Sequence, residues 1–152
     1  LDAARSTPDR FTILISLYDL ALASQARGDL DAAAGLLRQG LSLAAEVGDE
    51  PAAAYYLEAL AAIARQQDDP QRAARLLAAA GAQLQASGSG WLHAFVPPAP
   101  HDHSIEAELR SRMGDAAYEQ AAAYGRSLTG TRAIQLELQD AQQDPQRQEN
   151  PA

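Results

Sequence analysis

Residues 17–47 and 57–87 follow one template displaced by forty positions. Leu17, Leu20, Ala21, Asp29, Ala33, Ala34, Leu36 and Leu37 recur as Leu57, Leu60, Ala61, Asp69, Ala73, Ala74, Leu76 and Leu77. Self-similarity at a period of about 20–50 residues marks stacked supersecondary units. One such unit cannot cover its own apolar face, so neighbours must share an interior. The repeat therefore constrains the architecture before any single residue does.

Within each copy the apolar residues recur at helical spacing. Phe11, Leu14, Ile15, Tyr18 and Leu22 form one stripe at steps of three and four. Thr7-Pro8-Asp9 is a start signal, because Pro is tolerated in a first turn and Thr or Asp can cap free N–H groups. The first helix is expected over residues 9–26 and ends at Gly28. Asp29 caps a second helix over 30–47, which carries Ala33, Leu36, Leu37 and Leu41 inward. Gly48 suits the left-handed residue after its last turn. Repeat two copies this order, with Asp49-Glu50-Pro51 opening a third helix and Asp69-Pro70 a fourth. Asp68 stands where repeat one has the turn residue Gly28. Short turns make paired helices antiparallel.

The template also extends backwards. Leu1, Ala4 and Asp9 precede Leu41, Ala44 and Asp49 by forty residues. Residues 1–8 are thus expected to end a preceding repeat, with repeat one at 9–48 and repeat two at 49–88. Residues 89–103, rich in Pro and apolar groups, are expected as a loop capping the stack. Helices resume over 104–141: a fifth with Ile105, Leu109 and Met113, a sixth capped by Asp115, and a short seventh capped by Thr129 or Thr131. The polar stretch 142–152 lacks a stripe and is expected to be disordered. The fold class is all-α: about seven helices in an antiparallel hairpin solenoid.

Composition narrows function by exclusion. The chain carries a net charge of −8, and all 12 basic residues are Arg. Without a basic stripe it is a poor direct ligand for nucleic acid, whose affinity comes largely from phosphate neutralisation. It has no polybasic membrane patch. No apolar run nears the ~18 residues of a membrane span. It has no Cys, which rules out disulfides and suits a reducing compartment. The expectation is a soluble cytoplasmic protein that needs no cofactor.

No enzyme constellation stands out. Glu58, Glu106, Glu108, Glu119 and Glu137 read as exposed helix carboxylates, with no nucleophile or oxyanion donors set around them. His93, His101 and His103 form the one metal-like cluster, and the simpler reading is a polar loop before a helix. The residues expected to bind a partner are Tyr18, Gln25, Tyr55, Glu58 and Arg65. They occupy matching positions on the first helices of the two hairpins, which line the concave side of such stacks. Tyr and Arg often anchor interfaces. The competing reading packs Tyr18 and one of Tyr55 or Tyr56 between repeats.

The hairpins resemble tetratricopeptide repeats: Leu17, Leu20 and Ala21 on the first helix, Gly28-Asp29 at the turn, then Ala33 and Leu37. Asp69-Pro70-Gln71-Arg72-Ala73-Ala74-Arg75-Leu76-Leu77-Ala78-Ala79-Ala80 resembles the last helical repeat of large bacterial LuxR-type and MalT-like ATPase transcriptional regulators. Met113-Gly114, Tyr118, Gly125-Arg126, Leu128-Thr129 and Ala133-Ile134 resemble the end segment of those proteins. The resemblance implies a C-terminal sensor or interaction part, with ATP binding and DNA reading supplied by upstream domains of the parent chain. Without Lys, this chain holds no G-x-x-x-x-G-K-[ST] phosphate loop. The expected partner is a protein, peptide or small-molecule effector. The alternative is a free-standing scaffold built from helical repeats that assembles with a helical partner or with itself as a homodimer.

Overall fold

The computed structural model describes residues 3–88 and 103–143, with side chains from Arg10 to Gly88 and from Ser104 onward. These residues form helices α1 (Ala3–Ala26), α2 (Leu30–Val47), α3 (Glu50–Gln66), α4 (Pro70–Ser87), α5 (His103–Met113), α6 (Asp115–Ser127) and α7 (Gly130–Gln143). The fold is all-α, as the repeat requires.

Three aspartates, twenty residues apart, start α2, α3 and α4 by the same means. The carboxylates of Asp29, Asp49 and Asp69 accept from the backbone N–H of Ala32 (3.1 Å), Ala52 (3.0 Å) and Arg72 (3.1 Å). Each satisfies a donor that helix geometry leaves unpaired, worth about 1 kcal/mol. The preceding turns also repeat. Asp29 N–H donates to Ser24 O and Asp69 N–H to Ala64 O. Gly28 takes φ +82°, and Asp68, at the matching position, still takes φ +64°. Asp tolerates this left-handed conformation better than most residues. The turn therefore survives the loss of glycine.

The α1–α2 and α3–α4 hairpins stack through α2 and α3. In consequence α3 is enclosed: Ala52–Ala61 are all buried. Gly40 on α2 makes the stacking close, because an added Cβ would clash with the hydroxyl-bearing edge of the Tyr56 ring. The Tyr56 hydroxyl donates to Leu14 O on α1. One tyrosine thus ties α1, α2 and α3 together. Leu37 is buried whereas Leu36 is partly exposed, but in repeat two Leu76 is buried and Leu77 partly so. Leu76 belongs to the core that Ala133 and Ile134 of α7 help to close, while Leu77 packs partly against the cluster formed where α6 lies along α4. Gly125 permits that contact, because a Cβ there would meet Arg75 O. Leu109, Tyr118 and Ala122 pack there with Ala64, Ala73 and Ala74. Finally, α7 crosses α2, α3 and α4.

Several expected boundaries change. The first helix does not begin at Asp9 but runs from Ala3 through Pro8. Ala3, Ala4 and Arg5 are strong helix formers and prolong it backwards, although Pro8 forfeits one backbone bond. Residues 3–8 therefore continue α1 and do not form the end of a separate helix. Asp115 lies in the first turn of α6 behind Gly114 and makes no side-chain cap. Thr129, not Thr131, caps α7, its hydroxyl accepting from Arg132 N–H. Gln142 and Gln143 belong to α7. The expected capping loop, apart from His103, and the rest of the polar tail lie outside the described residues. Among the described residues, no helix is long and apolar enough to cross a membrane.

Candidate functional site

The five residues expected on an open concave face do not present one. Tyr18, Tyr55 and Glu58 are buried, at 3%, 4% and 8% exposure. Gln25 and Arg65 are half-buried. Tyr18 packs edge-on against Tyr56, ring centroids 5.6 Å apart and planes at 77°. Burial above all, with the nearby Glu58 and Tyr55 adding to it, pushes the Tyr18 hydroxyl up to about 12. Tyr55 shifts upward for the same first reason, burial, with Glu58 adding to it. The fold therefore brings Tyr18, Tyr55 and Glu58 together as interior groups. Arg65 instead reaches α5, where it donates to Glu108 at 2.9 Å. His93 and His101 and the side chain of His103 lie outside the described residues.

The acids do not all read as exposed helix carboxylates either. Besides Glu58, Glu137 is fully buried, at 0% exposure. It lies on the apolar face of α7 with Ala133 and Ile134, one turn further along. Arg38 of α2 donates to Glu137 Oε1 at 3.3 Å. Arg72 of α4 donates to Oε2 at 3.1 Å and, through its second arm, to Oε1. One carboxylate thus holds guanidinium groups from both second helices of the repeat. Glu119 and Glu106 share Arg110, which also lies over the Tyr118 ring at 4.3 Å. Hydrogen bonds from Arg110 and then Arg126 hold the Glu119 carboxyl below its usual range.

The clasp at Glu137 borders a cleft of about 430 Å³ between α4, α6 and α7. Its walls carry Gln71, Arg72 and Arg75 from α4, Gln120 and Tyr124 from α6, and Asp140 from α7. Each wall is set by a local cause. Asp69 caps α4 at the cleft's edge. Gly125 lets α6 approach α4 next to Tyr124. Arg72 is fixed by Glu137, and Arg75 by Asp140 at 3.1 Å. Tyr124 remains 49% exposed, an aromatic ring in contact with water. The lining is polar, unlike the mostly apolar pockets that take drug-sized ligands. Such a cleft suits hydrogen bonding to a polar chain, with the Tyr124 ring as apolar contact. Sequence reasoning missed it because its walls come from three separate stretches of the chain, 69–75, 120–124 and 140. No protein-family model, curated protein or solved structure matches the chain.

Proposed function

We propose that this chain is a binding module that holds a polar segment of a partner protein or peptide in the α4–α6–α7 cleft. The observation that carries the reading is the cleft's construction. Two guanidinium groups are held by carboxylates on one helix, facing an exposed tyrosine, all on rigid helices. Preorganised Arg and Tyr groups lose little freedom on binding, which favours affinity. The resemblance to tetratricopeptide hairpins and to LuxR-type and MalT-like regulators supports the wider role. In that role the module is the C-terminal sensor or interaction part of an ATP-dependent transcriptional regulator. Binding biases the parent only if the partner has different affinity for its two states.

The binding reading is tested by selecting peptides from a displayed library against the whole chain. Selected peptides are expected to lose affinity for a Tyr124→Ala, Arg75→Gln variant by about tenfold or more, the scale of losing an interface anchor. Binders indifferent to both substitutions refute the cleft. The regulator reading has its own test, the natural reading frame, which is expected to encode a phosphate loop upstream. The exposed apolar stripe of α1 favours a second reading, a scaffold that assembles with other helical repeats. A natural product of this length that sediments as a stable homodimer supports it.

A further inference from the structure

We infer that the outer face of α1 is a stacking surface for one more helical hairpin of the same forty-residue template. The repeat supplies the comparison. Ile13, Ser16, Leu17, Leu20 and Ala23 correspond to Ala53, Tyr56, Leu57, Leu60 and Ile63. All five of the latter are at most 1% exposed. Their counterparts on α1 are open: Ile13 is 46% exposed and Leu20 55%, Ser16 and Ala23 are exposed, and Leu17 is half-buried.

The contrast identifies what kind of element fits over α1. On α3 this face is covered by the preceding hairpin. The Tyr56 ring lies over Gly40 of α2 and against Tyr18 of α1. Displacing that arrangement by one repeat puts an α2-like helix over Ile13, Leu17 and Leu20. The chemistry of the occupant follows. It offers a helix of small and branched apolar groups, as α2 does with its buried Ala33, Leu37, Gly40, Leu41 and Ala44. Opposite Ser16 it has room for a larger residue than Gly40, because Ser16 is far smaller than Tyr56. Isolated exposed leucines are ordinary on a protein surface. A stripe of exposed Ile13, half-buried Leu17 and exposed Leu20, buried at every equivalent position one repeat later, continues an existing interface.

Such a hairpin, joined directly before residue 9, requires α1 to break at Thr7-Pro8-Asp9. Pro8 makes that the weakest point of the helix. The inference rests on the repeat and not on the cleft or the regulator reading, so it can fail or succeed independently of both.

The test places a second copy of residues 9–48 directly before residue 9 of the chain. The added α2 copy then faces Ile13, Leu17 and Leu20. The extended chain is expected to melt about 5 °C or more above the parent, because each stacked unit adds an interface term. Leu20→Asp is expected to leave the parent's Tm nearly unchanged and to abolish the gain in the extended chain. An extended chain with no gain, or one whose gain survives Leu20→Asp, overturns the inference. So does a parent that sediments as a dimer and becomes monomeric on Leu20→Asp, which assigns the face to a second copy.

Discussion

Replacing Glu137 by glutamine tests the clasp that holds α7 against both repeats. The side chain keeps its volume, so no cavity forms and no transfer energy is lost. What changes is the charge facing two guanidinium groups. Removing one partner of a buried ion pair costs about 3–5 kcal/mol, because the other is left buried and unpaired. Here Arg72 and Arg38 keep 14% and 24% side-chain exposure, so water recovers part of that. The expected loss is about 2–3 kcal/mol. For a domain of this size one kcal/mol moves Tm by about 2–4 °C, so the shift is about 4–12 °C downward. Circular dichroism at 222 nm measures it. The loss should persist in 1 M salt, which screens exposed pairs over about 3 Å but reaches an enclosed carboxylate poorly. A Glu137→Gln protein that melts with the parent, or whose loss vanishes in salt, refutes the enclosed clasp.

Two further expectations follow from packing and burial. Gly40→Ala and Gly125→Ala should each cost about 1–3 kcal/mol or more, since their Cβ atoms meet the Tyr56 ring and Arg75 O. Gly35→Ala, with nothing within 4 Å, should instead stabilise by up to about 1 kcal/mol through helix propensity. Urea midpoints separate the three, and equal signs for all contradict the stacking. The tyrosine hydroxyls give a pH test. Tyr18 is raised from 10.0 to about 12, and Tyr56 is also raised, so the folded state keeps protons that the unfolded state releases. Their contribution is complete below pH 10 and is lost as pH rises from 10 towards 12. Absorbance at 295 nm should show Tyr18 and Tyr56 ionising only with alkaline unfolding. Ionisation of every tyrosine near pH 10 in a folded chain contradicts their burial.

The helices were legible because their signals are local. Asp29, Asp49 and Asp69 announce caps, Gly28 and Gly48 announce turns, and the forty-residue period assigns the pairing. The binding face was not legible. Period alone cannot distinguish the side of α3 that meets water from the side that meets a neighbouring hairpin, and Tyr55 and Glu58 are buried. Glu137 eluded sequence reasoning because its burial depends on Arg38 and Arg72, respectively 99 and 65 residues away. Its position on the stripe of Ala133 and Ile134 was the available signal, an acid where an apolar residue belongs. Thr7-Pro8-Asp9 does not start α1, because the helix-forming Ala3, Ala4 and Arg5 carry the helix back through Pro8.

The most direct measurement is a nuclear Overhauser spectrum of the Tyr56 ring. The account places that ring between two hairpins, so its protons should give cross-peaks to the Gly40 α-protons and to the Tyr18 ring. Cross-peaks from Tyr56 only within α3 and α4, with none to Gly40 or Tyr18, would contradict the stacking of the two repeats.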